Sequence, residues 1–359
     1  MTQSARLACL GPIGTYSSKA ATQYLQSNTH IQDVLYFDNV EDFLYQPLKT
    51  FDHILIAIEN TCEGFISPNI QGVIASGFQV VDQLTLNIQF SFIYNCPEIS
   101  DIQSLFVHPV ARSQTSHFLS SMRDAKVCLS YSNAHSYQLF LEKEQQGAVG
   151  AVIPHYLAQA TDGHGLITDV NNVRKNQTRF LILTRPNATT RPNIKHNVHL
   201  ALFRPAVKNH SPLNYFSAKQ RCGINFRSIV PIPSGDGLGR YLYYTEIDAQ
   251  SAGQRHDLAA LFEDSQWTAL GGYYQKPTPH LRVGRNGLVC RCHQVTSATI
   301  AQALRNTPQA TTLDIAAQTK AASGCGACAE LVSQLVQEHN AQGGPVDGPV
   351  EVKYVSLSI

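Results

Sequence analysis

Residues 6–25 read RLACLGPIGTYSSKAATQYL, a short apolar run, a glycine-containing turn and a stretch with helical spacing. Gly11 and Gly14 permit close backbone approach. Thr15 and Ser17 stand where hydroxyls and unpaired N–H groups at a helix start favour an anion. The spacing is neither that of a dinucleotide-binding loop nor that of a P-loop. Moving outward, the same alternation repeats to residue 184. Strand candidates are Arg6–Leu10, Val34–Phe37, His53–Ile58, Leu105–His108, Lys126–Ser130, Ala148–Ile153 and Arg179–Leu183. Helical patterns cover Ser17–Leu25, Ala111–Ser121 and Ala134–Glu144. Such alternation predicts an α/β fold with largely parallel sheets.

The whole chain has 359 residues, 43% of them hydrophobic and 15% charged, with net charge +1. That length predicts two or three domains, each with enough chain to bury a core. The charge balance speaks against nucleic-acid or membrane-surface binding. No apolar run is long enough to span a bilayer, and the first residues lack the apolar centre of a secretory signal. Cys9, Cys62, Cys96, Cys128 and Cys222 are scattered without a pairing pattern, which suits a reducing cytoplasm.

Within residues 1–184, chemistry-bearing residues cluster at the ends of the strand candidates. Ile58-Glu59-Asn60-Thr61 runs into Glu63-Gly64, His108-Pro109 precedes Gln114, Ser132-Asn133-Ala134 caps a helix, and Thr178-Arg179-Phe180 opens the last strand. With the Gly11–Ser17 turn, these five segments in this order resemble the catalytic domain of prephenate dehydratases. The resemblance implies a two-lobed fold like a type II periplasmic binding protein, with substrate in the cleft. It implies the conversion of prephenate to phenylpyruvate, with loss of carbon dioxide and water. That reaction needs an acid for the departing hydroxyl and donors for two carboxylates. By resemblance Thr178 assists the leaving hydroxyl, Asn60 and Gln114 orient substrate, and Glu59 holds the loops or the hydroxyl network. Thr15, Ser17, Thr61, Ser132, Asn133, Arg179 and Phe180 are the remaining expected substrate contacts. Alternation along the strand should turn Arg179 to the face opposite Thr178, where it is structural or reaches a carboxylate. The chain departs from the family pattern at Thr61, Phe65, Asn69-Ile70-Gln71, Asn133 and Ala151. These departures keep a second reading open, a non-catalytic redox- or iron-responsive sensor that reuses the cleft.

Thr184–Asn193 is rich in Pro, Thr and Asn and reads as a linker. Residues 195–276 follow a β-α-β-β-α-β order: strand His196–Phe203, helix Leu213–Arg221, strands Phe226–Ile232 and Arg240–Ile247, helix His256–Glu263, and strand Ala269–Tyr274. This is the order of a ferredoxin-like sandwich. With Gly223-Ile-Asn225 and the closing Leu270-Gly-Gly-Tyr273, it resembles the ACT module that binds phenylalanine in this family and pairs side by side into homodimers. The effector motifs have diverged to Asn209-His-Ser-Pro-Leu213 and Val230-Pro-Ile-Pro233, so feedback by phenylalanine should be weak or absent.

After a second linker, Lys276–Asn286, residues 287–338 carry Cys290-Arg-Cys292 and, after a gap of 32 residues, Cys325-Gly-Ala-Cys328. Two close thiol pairs are a metal-site pattern. Thr296 is a good N-cap for the helical pattern that follows, Thr311–Thr319 suggests a second helix and Ala329–Gln337 a third. The module resembles the [2Fe-2S] domain of bacterioferritin-associated ferredoxin, which implies that the four cysteines hold such a cluster. Four thiolates also suit zinc, and the module resemblance favours iron. An electron donor to the cluster is then a candidate partner. Residues 339–359 form a tail whose end, Val350–Ile359, alternates like an edge strand.

Overall fold

The computed structural model describes residues 5–44, 50–160, 163–186, 196–206, 212–249, 252–275, 287–290, 293–307 and 310–323, together with 328, 332–333, 335–336 and 339–340. Both linkers lie largely outside these residues, as do Cys292, Cys325, most of the third expected helix of the cysteine module and the C-terminal tail. The chain divides into two compact units, Met1–Gln275 and Lys276–Ile359.

The first unit opens with strand β1 (Ala5–Leu10), helix α1 (Tyr16–Ser27), β2 (Ile31–Phe37), the short α2 (Glu41–Leu44), β3 (His53–Asn60), β4 (Gly64–Phe65), α3 (Ser67–Ser76) and β5 (Gln79–Asn87). Next come β6 (Phe90–Tyr94), β7 (Ser104–Val107), α4 (Pro109–Gln114), α5 (Ser116–Leu119), β8 (Lys126–Leu129), α6 (Asn133–Lys143), β9 (Val149–Pro154), β10 (Gly165–Ile167) and β11 (Gln177–Thr184). The final part holds β12 (Val198–Phe203), α7 (Pro212–Arg221), β13 (Asn225–Pro233), β14 (Tyr241–Asp248), α8 (Ala252–Leu261) and β15 (Trp267–Tyr273). β5 and β6 have no counterpart among the strand candidates of the sequence. Asp82, Gln83 and Thr85 interrupt the apolar pattern of β5, and only its position between β11 and β15 makes it a strand.

Two sheets form the two lobes. One has the order β10-β6-β9-β7-β8, and its strands β7, β8 and β9 are parallel neighbours. The other runs β13-β14-β12-β15-β5-β11-β3-β1-β2, with β4 beside β3. The chain passes between the lobes twice, after β5 and before β11. The two crossings are tied together, since Ile88 N donates to Asn176 O at 2.8 Å and Phe90 N to Asn171 Oδ1 at 2.7 Å.

The larger sheet does not stop at residue 184. Strands β12 to β15, arranged β-α-β-β-α-β, extend it through a parallel contact of Gly271 with Val80. Gly271 has φ +108, and a Cβ there would lie 2.2 Å from Val80 O, so the seam requires glycine. One apolar cluster crosses it, joining Ile54, Ile56, Val80, Leu181 and Leu183 to Val198, Leu200, Tyr244 and Tyr273. Each such side chain contributes about 1.5–3 kcal/mol by leaving water. The segments read as separate domains from sequence therefore share a sheet and a core.

The expected helix Ala111–Ser121 is broken in two at Thr115 (φ −125, ψ 15). The buried Thr115 hydroxyl donates back to Ala111 O at 2.8 Å, an alternative to continuing the helical ladder. The break comes directly after Gln114.

In the second unit a two-stranded ribbon, β16 (Leu288–Cys290) and β17 (Val295–Thr296), leads into α9 (Ser297–Arg305) and α10 (Thr312–Thr319). Thr296 caps α9, and Thr311 with Asp314 forms a reciprocal capping box on α10, which satisfies N–H groups that a helix start leaves unpaired. Its core contains Val289, Cys290, Ile300, Leu304, Ile315, Ala321, Cys328 and Val332.

Candidate active site

The parallel pairs β1/β3 and β7/β8 end in the Gly11–Thr15 turn, Asn60, His108 and Ser132. Crevices at the carboxyl ends of strands are where open α/β folds bind ligands. Each sequence segment singled out above arrives at such an end or, for Thr178, at the antiparallel strand paired with β3.

Thr178 lies opposite Asn60, and Arg179 opposite Glu59, in the β11–β3 ladder. Directly paired residues share a face, so Thr178 and Asn60 stand on one face and Arg179 and Glu59 on the other. On the first face Asn60 Nδ2 donates to Thr178 Oγ1 at 2.9 Å and to Asn176 Oδ1 at 3.0 Å, with Gln177 O at 3.2 Å. Asn176 Nδ2 donates to Gln114 Oε1 at 2.7 Å, and Gln114 Nε2 donates to Glu63 Oε1 at 3.1 Å. Asn60, Gln114, Asn176 and Thr178 are each at most 9% exposed. Gln114 belongs to one lobe and the other members to the opposite lobe or the crossing, so the chain of amides spans the cleft. Thr61 joins its edge, accepting from Gln177 N at 3.0 Å.

A second group surrounds the first turn. Thr15 caps α1 and accepts from Ser18 N at 3.3 Å. Gly14, with φ +86, passes so close to α6 that a Cβ would sit 3.2 Å from that of Ala134, and Tyr156 Oη donates to Gly14 O at 2.8 Å. Ser132 caps α6 by accepting from His135 N at 3.0 Å. The buried Asn133 Oδ1 has no partner among the described residues. Ser17 is half-buried in the first turn of α1. Turn and helix start thus face each other across the lobes.

Asn176, Glu63 and His108 received no role from the sequence. Asn176 had a signal, since it is a polar residue two positions before Thr178. His108 caps the strand end beside Glu63, and its Nδ1 is buried without a partner among the described residues. Burial lowers the pKa of His108, with the Glu63 carboxylate opposing, so the ring is neutral near pH 7.

Phe180, expected as a substrate contact, is turned into the core, while Arg179 lies on the face opposite Thr178, as alternation predicts, and pairs there with Glu59. Phe180 is 1% exposed and packs in the core with Leu7, Leu55 and Leu86. Arg179 is committed to protein carboxylates on the opposite face. Its Nη2 lies 2.8 Å from Glu59 Oε2 and 2.7 Å from Glu246 Oε1, and its Nη1 donates to Tyr273 Oη at 3.1 Å. Glu59 is thereby held away from Thr178. Burial works against the charge on Arg179, and Glu246 with Tyr273 and Tyr244 outweighs it, so the guanidinium stays protonated. Tyr244 Oη donates to Glu246 Oε1 at 2.9 Å. Phe65, a departure from the family pattern, packs here: its ring centroid is 6.1 Å from that of Tyr244 and 5.7 Å from the Arg179 guanidinium.

Fold and site together define a two-lobed α/β protein with a polar interlobe cleft, carrying a separate cysteine-containing unit. Residues 7–188, just over half the chain, match the family model for prephenate dehydratase. Residues 288–338 match the BFD-like [2Fe-2S] binding domain. The chain belongs to the prephenate dehydratase family. A bifunctional chorismate mutase/prephenate dehydratase of Aquifex aeolicus is 21% identical over 274 residues, 76% of this chain and 74% of that protein. The crystal structure of an Arthrobacter aurescens prephenate dehydratase in complex with L-Phe superposes with a TM-score of 0.60 at 22% identity, covering 76% of this chain and 90% of that one. The Staphylococcus aureus enzyme gives 0.60 at 21% identity, covering 75% and 99%.

Of the four candidate cluster ligands, Cys290 and Cys328 lie within the described residues, both buried in the core of their unit. Ala322 N donates to Cys328 Sγ at 3.2 Å, from a turn in which Lys320 and Ala322 both have positive φ. A backbone N–H aimed at sulfur stabilises a thiolate ligand, so these residues fit the group.

Proposed function

We propose that this protein is a prephenate dehydratase acting in phenylalanine biosynthesis, with Thr178 as the hydroxyl that meets the departing group. The observation that carries this reading is the hydrogen bond from Asn60 Nδ2 to Thr178 Oγ1, made inside a buried chain of neutral amides at the cleft. Prephenate loses its ring carboxylate as carbon dioxide. The electron pair of that carbon–carbon bond enters the ring, and the ring carbon–oxygen bond breaks. Thr178 donates its hydrogen to the departing oxygen, which leaves as water, and recovers one from solvent. Aromatisation supplies the driving force, so a hydroxyl of ordinary acidity suffices if it is held in position. The Gly11–Ser17 turn with Thr15, and the start of α6 with Ser132 and Asn133, offer N–H groups and hydroxyls to the carboxylates. Gln114 and Thr61 border the same space. Arg179, Glu59 and Phe180 serve as supports.

The second half of the first unit is, in this reading, a divergent ACT module through which two copies pair. Cys290, Cys292, Cys325 and Cys328 would hold a [2Fe-2S] cluster, and the cytoplasm suits thiolate ligands. A [2Fe-2S] cluster supplies one-electron transfer, whereas the dehydration is redox-neutral. Its role is therefore structural or regulatory.

The test is phenylpyruvate formation from prephenate by purified full-length protein with its cluster loaded. Turnover that Thr178→Ala abolishes supports the assignment. Saturable binding of prephenate without turnover sinks it and favours the sensor.

A further inference from the structure

We infer that Asn176, acting with Glu63, is a positioning residue that sets which way the Thr178 hydroxyl points. The inference rests on the dehydratase reading above. Its basis is that the amide chain has two ends of fixed polarity, and both demand the same direction. At one end the Cys62 N–H, which can only donate, bonds to Asn60 Oδ1 at 2.8 Å. That places Asn60 Nδ2, also donor-only, against Asn176 Oδ1 and Thr178 Oγ1. At the other end the Glu63 carboxylate accepts, so Gln114 must present Nε2 to it and Oε1 to Asn176. Asn176 is then required to donate to Gln114 and to accept from Asn60. An amide does both at this position, whereas a carboxylate has no donor and an apolar side chain has neither group.

The consequence falls on Thr178. Its Oγ1 receives an N–H, and among the described residues none accepts its hydrogen. The hydroxyl is thus held as an acceptor toward the protein and a donor toward the cleft, the polarity that a departing hydroxyl needs. Should Asn60 rotate, its Oδ1 would take the Thr178 hydrogen and the hydroxyl would present lone pairs to the leaving group. Asn176, 2% exposed, joins the Cys62 N–H in holding Asn60 against this rotation.

The test is a cycle of Asn176→Asp, Glu63→Gln and the double variant in the full-length, cluster-loaded protein. In Asn176→Asp the new carboxylate still accepts from Asn60 but opposes Gln114 Oε1. If Gln114 flips to satisfy it, an oxygen then faces the Glu63 carboxylate; either clash displaces the side chain at position 176 and with it the Asn60 amide bonded to both 176 and Thr178. Asn176→Asp should lower kcat about 10- to 100-fold with little change in KM, the scale of a misplaced reacting group. In the double variant the amide introduced at position 63 donates to the flipped Gln114. Gln114 in turn donates to the carboxylate introduced at position 176, so the carboxylate is held in place and the placement of Asn60 against Thr178 is restored. At least about a fivefold recovery of kcat over Asn176→Asp is expected, well within the coupling measured between residues of one network. A kcat for Asn176→Asp equal to that of the parent, or a double variant no better than the single, overturns the inference. Absence of turnover in the parent protein would sink the dehydratase reading instead. The melting temperatures of the same four proteins would then decide the relay, since it requires the double variant to be more stable than Asn176→Asp.

Discussion

Thr178 and Arg179 are neighbours on one strand, and each belongs to a different kind of chemistry. Thr178 sits among neutral amides, with the Glu63 carboxylate at the far end of their chain. Arg179 sits on the reverse face among two carboxylates and two tyrosines, where charge is buried and paired. The neutral side can hold a reactive hydroxyl without fixing its protonation through a strong field. The charged side cannot be opened cheaply, because separating a buried pair strands a charge in a poor dielectric. The difference teaches that a strand of alternating residues can turn a hydroxyl toward the cleft on one face and an ion-paired attachment to distant strands on the other, one peptide bond apart.

The largest effect that could break this comparison is on turnover. Thr178→Ala should lower kcat by about 10²–10⁴-fold, the range for a positioned acid, while leaving the melting temperature close to that of the parent. A large loss of stability would show that Thr178 is a structural residue like its neighbour. Next comes the reverse face. Arg179→Met leaves Glu246, 1% exposed, without its cation and should cost about 3–5 kcal/mol in a denaturant titration. Adding Glu246→Gln should return part of that loss. If Arg179→Met kept full stability and lost only activity, the two faces would not be distinct.

Smaller effects sharpen the picture. Gly271→Ala places a methyl group against Val80 O at the seam and should destabilise by about 1–3 kcal/mol, read by the same titration. Glu59 is 37% exposed at its side chain, so Glu59→Gln should cost no more than about 1 kcal/mol, far less than loss of Glu246. Four histidines complete the series. Burial lowers the pKa values of His53, His108, His196 and His199 in the folded protein. The unfolded chain therefore binds protons more readily as the pH falls below about 6.5, the ordinary histidine value, and stability should decline from there until the folded pKa values are passed. Melting temperatures flat between pH 7 and pH 5 would contradict this.

Much of the fold was legible because its signals are local. Alternating strand and helix patterns announced an α/β protein, and the five polar segments lay in order at strand ends. The pair Gly271-Gly272 marked the closing strand before its seam was known. Other features were not legible. Strand β5 carries Asp82 and Gln83 inside the sheet and lacks a clean period. The break at Thr115, which interrupts the expected helix, depends on one hydroxyl turning back on its own backbone. Asn176 looks like any polar residue before a strand until Gln114 and Asn60 are brought to either side of it. Phe65 shows in the sequence only as a departure from the family pattern, and its packing against Tyr244 depends on a strand far along the chain.

By itself the sequence determined the strand and helix periods, the order of the cleft motifs and the paired thiols of residues 287–338, because these depend on neighbours a few positions apart. Tertiary structure alone decided that Arg179 would meet Glu246, 67 residues away, and that Asn60 would meet Thr178, 118 residues away. Alternation told which face each side chain would take. What stood on that face depended on which distant strand the sheet brought alongside, and pairing between strands is set by packing across the whole core rather than by any stretch of the chain.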